Sequence, residues 1–376
     1  SIVWSDRYEY PKSCYTTGFE VDSSGNCYLS AVLENGSDSS AGLLMSWDDT
    51  GARRWTVVDT GICDAGVFYW GGLTIVEPGF VYVAGHLYCD SVPFLYLIQL
   101  SKYTQSGELI WTQYWENTEA IGAVALAITN DSYGNVYITG NAATEDDYHI
   151  YGVPLTLSYD SSGNYRWRQS YGNEETFVFQ WSEIVRCDAV GNVFIGAEMF
   201  QGAEWVKYSG TGIPLDTHVV SGMTLGHPSV LIPLPTGEIY FGGTAYFEGF
   251  SGLGLTKLSE SGTVGWVRFD TCSQGSRGAV ACENADLYAW LDTVLVGLDK
   301  NGLTRWKSTV ADHITHLALQ NDRVLVTAGV PALNPSPTSV IVSRYAICSC
   351  PCLGDPNCDG ISVDVLDVVS TIAVAF

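Results

Sequence analysis

The residues with the clearest chemistry lie near the end of the 376-residue chain, where Asp355-x-Asn357-x-Asp359-Gly360 places three side-chain oxygens at alternating positions. Hard oxygen donors at loop positions 1, 3 and 5, a glycine at position 6 for the sharp turn and the Ile361 carbonyl at position 7 form a calcium-binding pattern. The expected cofactor is therefore Ca²⁺. An Asp/Asn/Gly-rich turn with no metal is the competing reading. Beyond the loop, Leu366, Val369, Ile372 or Ala373, and Phe376 recur at helical spacing and predict a short helix with one apolar stripe. Such a helix cannot bury that stripe alone, so it must pack on its own domain or on another molecule. The Cys348-x-Cys350-Pro-Cys352 run just before it reads as a stapled hinge.

Elsewhere the chemistry-bearing residues are scattered. Six histidines occur, and His313 and His316 are three apart in what reads as a strand, which sends them to opposite faces and argues against a shared metal. Glu145-Asp146-Asp147 could ligate a second Ca²⁺, though a solvated acidic loop is the simpler account. The sequence has no Gly-x-Ser-x-Gly, no His-Glu-x-x-His and no phosphate-binding loop, so no catalytic residue is nominated. The eleven cysteines suit an oxidising compartment. Cys14 with Cys27, Cys63 with Cys89, and Cys272 with Cys282 each flank one strand or hairpin and are candidate local disulfides; Cys187 stands apart.

The elements that must position these residues come from an internal repeat. One pattern is a strand, an Asp, a Gly-Asn turn and an aromatic strand: Asp22…Gly25-Asn26…Tyr28, Asp131…Gly134-Asn135…Tyr137 and Asp188…Gly191-Asn192…Phe194. Looser copies begin at Pro78, Thr236, Ala285 and Asn321. Gly and Asn tolerate the positive φ of tight hairpin turns. The second pattern is Gly-x-x-x-Trp, at Gly51…Trp55, Gly107…Trp111, Gly163…Trp167, Gly262…Trp266 and Gly302…Trp306, with a copy at Gly212…Asp216 that lacks its Trp. The two alternate strictly, so one repeat carries four strands.

The last repeat runs into the cysteine-rich tail without its tryptophan strand, while an orphan strand bearing Trp4 opens the chain. Complementary ends of this kind close a ring. The strand around Trp4 is expected to pair with that around Val340–Tyr345, leaving no open edge. The expected fold is an all-β, seven-bladed β-propeller, six or eight blades being the neighbouring counts, with blades near 18–60, 71–116, 121–172, 181–220, 225–270, 276–310, and 314–347 with 1–12. The domain division is 1–347 for the propeller and 348–376 for the hinge, calcium loop and helix. The recurring Trp is expected to dock each blade on its neighbour; carbohydrate stacking is the alternative.

The repeats resemble the tryptophan-docking repeats of quinoprotein-like propellers and of secreted bacterial propellers. The tail resembles one half of a type I dockerin. That resemblance adds Asp364 and Asp367 to the ligands Asp355, Asn357, Asp359 and Ile361, and implies a cohesin-like partner. Family spacing puts the closing acid at loop position 12; here that position is Leu366 and Asp367 follows it, so Ile361–Asp364 would have to bulge.

The net charge is −24, from 41 acidic against 17 basic residues, which argues against nucleic acid and anionic membrane surfaces as partners. No apolar run is long enough to span a bilayer. A chain opening at Ser1 and rich in cysteine is expected to be extracellular, its signal peptide removed. The functional expectation is a non-enzymatic structural or adhesion scaffold. It would assemble into a fibre, layer or complex by self-association or a cohesin-like partner through its tail. The other class is a carbohydrate-active enzyme or glycan-binding module acting on polysaccharide.

Overall fold

A computed structural model describes the chain except for residues 1, 35–39, 63–66, 77–78, 90–94, 118–121, 144–151, 172–180, 200–201, 221–223, 248, 272–276, 283–285, 311, 321–323, 331–338 and 347–376. Among the described residues the regular structure is β-strand. An opening strand, β1 (Ile2–Glu9), is followed by β2 (Cys14–Val21), β3 (Cys27–Glu34), β4 (Ser40–Trp47) and β5 (Arg53–Asp59). Next come β6 (Val67–Val76), β7 (Phe80–Cys89), β8 (Leu95–Thr104), β9 (Leu109–Glu116), β10 (Gly122–Asn130), β11 (Val136–Ala143), β12 (Gly152–Tyr159) and β13 (Tyr165–Ser170). A further set comprises β14 (Trp181–Cys187), β15 (Val193–Met199), β16 (Gly202–Tyr208), β17 (Pro214–Val219), β18 (Thr224–Pro233), β19 (Ile239–Phe247), β20 (Phe250–Leu258) and β21 (Val264–Thr271). The chain continues through β22 (Arg277–Ala281), β23 (Leu287–Leu291), β24 (Val294–Leu298), β25 (Thr304–Thr309), β26 (His313–Gln320), β27 (Val324–Val330) and β28 (Ser339–Ala346).

The strands form five four-stranded antiparallel sheets and one of eight strands. Four of the smaller sheets are consecutive meanders: β2 to β5, β14 to β17, β18 to β21 and β22 to β25. In the eight-stranded sheet, β6 to β9 and β10 to β13 are joined by a single parallel pair, Gly122 with Tyr96. The first strands β2, β6, β10, β14, β18, β22 and β26 touch in that order, and β26 touches β2 again, so the sheets stand around a common axis.

Local chemistry explains the meanders. After β2 the Asp22 Oδ1 accepts the Ser24 and Asn26 N–H groups at 3.0 and 2.8 Å, the Asn26 amide donates to Oδ2, and the Tyr28 hydroxyl reaches the same oxygen at 3.1 Å. Asp131 repeats all four bonds. The turn needs Gly25 at φ +86°, where a Cβ would be strained. Inner strands are the more buried ones, as in the fully buried β4. Outer strands such as β5 alternate between exposed and half-buried residues.

The remaining sheet has the order β1-β28-β27-β26. β1 pairs antiparallel with β28, Trp4 opposite Arg344 and Tyr8 opposite Val340, as the orphan strand led us to expect. A latch to the next sheet secures it. The Trp47 indole donates to Asp6 Oδ2 at 2.6 Å and the Arg53 guanidinium to the same oxygen at 2.7 Å. Partial burial pushes the Asp6 carboxyl up, but these two donors, the Arg53 charge and the Arg7 N–H hold it below its ordinary value.

One cysteine expectation is overturned. Cys14 pairs in the ladder with Leu33 and Cys27 with Val21, so the two lie at opposite ends of one hairpin. Six residues of strand span about 20 Å, whereas a disulfide needs Cα atoms within about 7 Å. Both are free, buried thiols pushed up to about 12 by desolvation, and Cys187 is also free. Flanking a strand in sequence is not proximity in space, because the ends of a strand are its most distant points. Cys63 and Cys272 lie outside the described residues.

Candidate functional site

The ring brings its first strands together around an axial channel. Between β14, β18 and β22 lies a cavity of about 190 Å³, lined by Ile184, Arg186, Ser229, Ile232 and Val280 among others. Arg186 is accessible to water and at the same time enclosed by protein, the combination expected of a side chain projecting into a narrow channel. Its Nη1 donates to the Val185 carbonyl at 2.8 Å. Glu20, at the same ladder position of β2, interacts with it electrostatically. Desolvation pushes the Glu20 carboxyl up to about 7, against the Ile75 N–H at 2.9 Å, the Arg186 charge and the Thr74 hydroxyl. His316 faces the same space. Burial, aided by Arg186, pushes its imidazole down to about 4 against a hydrogen bond with the Thr17 backbone.

The expected separation of His313 from His316 by strand alternation does not hold. β26 carries a bulge at Thr315, so the two histidines occupy ladder positions two apart rather than three. They nevertheless take different partners: His313 bonds Asp292, and His316 Nδ1 lies 3.1 Å from the Thr315 hydroxyl.

Bulges recur near the same level of the first strands, at Thr17 in β2, Leu126 in β10, Glu183 in β14 and His227 in β18. In the last two, neighbouring strands carry complementary groups. His227 Nδ1 lies 2.7 Å from Glu183 Oε1 and 3.3 Å from Glu198 Oε2, and the His227 N–H donates to Glu198 Oε2 at 3.2 Å. His227 holds φ +34°, one of two non-glycine residues in the left-handed region among those described. No sequence motif marks this trio, whose members span 45 residues and meet only through the ring.

The recurring tryptophans dock one sheet on the next. Trp4, Trp55, Trp167 and Trp266 each send their indole N–H to a carbonyl in the last turn of the following sheet: Asp49, Gln105, Gly210 and Lys300. Each ring covers the turn glycine, so a Cβ on Gly107 would lie 2.8 Å from the Trp55 ring and one on Gly212 2.8 Å from that of Trp167. Where the Trp is replaced by Asp216, His218 two residues on covers Gly262 instead.

A second repeated device escaped the sequence reading. Arg54 bonds the Tyr28 hydroxyl and Ser46, and Arg166 bonds the Tyr137 hydroxyl and Ser158, each from the residue before the docking Trp. In other repeats the cation comes from the third strand. Lys102 sits 3.9 Å above the Phe80 ring and donates to the Ser161 carbonyl, and Lys207 and Lys257 lie over Phe194 and Tyr240. The legible signal is compensation: Arg precedes Trp where the third strand lacks Lys (Ser46, Ser158 and Gly297 stand opposite the Trp), and an apolar residue or Gly takes that place where the third strand has Lys. Arg54, Lys102, Lys207 and Lys257 each lie over an aromatic face of the second strand.

With this geometry, the architecture can be compared with known structures. The WD40 domain of Neurospora crassa Pan2 superposes with a TM-score of 0.60 at 9% identity, covering 92% of this chain and 94% of that one. The fold is a β-propeller. A protein of unknown function from Dyadobacter fermentans is also similar, with a TM-score of 0.54 at 11% identity over 92% of this propeller and 99% of that chain. No family model matches the propeller, and no curated protein sequence matches it either.

The sequence-nominated calcium ligands Asp355, Asn357, Asp359, Ile361, Asp364 and Asp367 lie outside the described residues, as do the segment expected to be helical after them and Glu145-Asp146-Asp147.

Proposed function

We propose that this chain is a secreted, non-enzymatic propeller of seven blades that serves as a structural or adhesion scaffold. It joins other protein subunits through its calcium-binding, dockerin-like tail. The blade count follows if the eight-stranded sheet is read as two blades, since one residue pair joins its halves and both β6 and β10 sit in the ring of first strands. The observation that carries the functional reading is where the repeated polar and aromatic groups go. Docking tryptophans, aromatic-covering cations and turn aspartates are engaged in joining strands and sheets, which makes a stiff ring suited to presenting an attached segment. The tail supplies that segment: an oxygen-rich loop followed by an apolar stripe that needs a partner. Resemblance to quinoprotein-like and secreted bacterial propeller repeats agrees with an extracellular setting.

The test is the oligomeric state of the full chain, by sedimentation velocity in calcium and in EDTA. The calcium form is expected to assemble or to bind a cohesin-like partner, and Asp355→Ala with Asp359→Ala to remain in the EDTA state. Identical sedimentation of the wild type in both buffers, with no partner captured in calcium, would sink the reading. So would turnover of a polysaccharide by the purified chain.

A further inference from the structure

We propose that Glu183, Glu198 and His227 form a binding site for a first-row divalent transition-metal ion, at the ends of the first strands away from the Gly-Asn turns. The donor set is two carboxylates and one imidazole, from β14, β15 and β18, with one ligand atom of each lying within 4.8 Å of the others. The two nitrogen–oxygen spacings within the trio fall close to those of a coordination shell. Donors about 2.1 Å from a metal are about 3.0 Å apart in octahedral and about 3.4 Å apart in tetrahedral geometry. The imidazole nitrogen stands 2.7 and 3.3 Å from the two carboxylates.

Charge points the same way. Two carboxylates and a neutral imidazole carry −2, which a divalent ion neutralises and a single proton on Nδ1 only halves. Among the described residues, the ion pairs formed by these two acids are with His227. Binding would expel the Nδ1 proton to solvent as the metal takes its place between nitrogen and carboxylates. The site is also open. The imidazole is 60% exposed and the carboxylates about a quarter exposed, which leaves coordination positions for water or an incoming group.

The backbone holds the trio in place. Glu183 and His227 are both bulge residues, displaced from the regular ladder and re-aimed toward each other. Gly243 allows β19 to pass close behind: a Cβ there would lie 2.4 Å from the His227 carbonyl oxygen. Gly226 leaves room for the Glu198 carboxylate, which a Cβ would approach to 3.2 Å. Imidazole favours Zn²⁺, Co²⁺ or Ni²⁺ over Ca²⁺, so this site differs in selectivity from the all-oxygen loop of the tail.

The experiment titrates the full, EDTA-stripped and dialysed chain with Zn²⁺ in the calorimeter, in a background of millimolar Ca²⁺ that occupies any all-oxygen site. Co²⁺ replaces Zn²⁺ for visible absorption. One site per chain is expected, with affinity falling at least tenfold in Glu198→Gln and in His227→Ala, and unchanged in Asp355→Ala. Co²⁺ is expected to give a ligand-field band lost in both site variants. Equal Zn²⁺ stoichiometry and affinity in wild type and Glu198→Gln, or no heat at millimolar Zn²⁺, overturns the proposal and leaves a hydrogen-bonded Glu–His pair. If His227→Ala fails the circular-dichroism check of folding, the isosteric Glu198→Gln carries the same readout alone.

Discussion

Replacing Glu20 by Gln tests whether enclosure in the axial channel raises its carboxyl. Desolvation pushes this carboxyl up to about 7 from an ordinary 4.5, despite the opposing Ile75 N–H, Arg186 charge and Thr74 hydroxyl. Between those two pH values the native ring keeps a proton that the unfolded chain has released. The unfolded state then binds fewer protons, so this group's contribution to stability is full below pH 4.5 and is lost as pH rises through 7. The gap corresponds to about 3 kcal/mol for a dry site, and to about 2 kcal/mol once channel water screens it. Gln carries no charge and keeps an oxygen for the Ile75 N–H. At pH 8 the variant should therefore be the more stable protein, by about 3 °C in melting temperature for a chain of this length. At pH 4.5 the two should melt together. Scanning calorimetry of both proteins at the two pH values is the assay. A variant that melts lower at pH 8, or a difference of the same size at both pH values, refutes the reasoning.

Four further outcomes follow from other parts of the ring. His86 and His316 have imidazoles pushed down to about 4 by burial, so the stability they carry is present above pH 6.5 and lost as pH falls toward 4; His316→Gln should flatten that acid limb in the same calorimetric series. Trp4→Ala should cost about 3 kcal/mol and free β1 for limited proteolysis, because the side chain that covers Gly51 and bonds Asp49 is part of the closure. Gly212→Ala should destabilise more than Gly79→Ala, measured by melting temperature. Both replace a positive-φ glycine, but only Gly212 has an indole against its Cβ position, while Gly79 has nothing within 4 Å. The raised thiols Cys14 and Cys27 should resist iodoacetamide at pH 8 until the chain is unfolded, scored by mass spectrometry.

Much of the architecture was legible because it rests on local rules repeated along the chain. An Asp-to-Asn turn with glycine at positive φ makes the same hairpin wherever it occurs, so the strand pairs around Asp22, Asp131 and Asp188 follow from a few residues each. The missing last tryptophan strand and the surplus first one fixed the β1–β28 pairing, a contact across almost the whole chain, because an unpaired strand edge has only one complementary vacancy to fill. Local rules failed where distance or irregularity mattered. Cys14 and Cys27 look like neighbours in sequence and sit a strand length apart, and one bulged residue cancelled the alternation that would separate His313 from His316.

What tertiary structure alone decided is which chemistry-bearing residues meet. Glu20 and Arg186 belong to distant repeats and sense each other across the channel, and Glu183, Glu198 and His227 come from two adjacent sheets through bulges that no periodicity announces. Sequence patterns report on backbone period and turn chemistry, which act over a few residues. The convergence of side chains depends on how sheets close around an axis, and closure is a property of the whole ring.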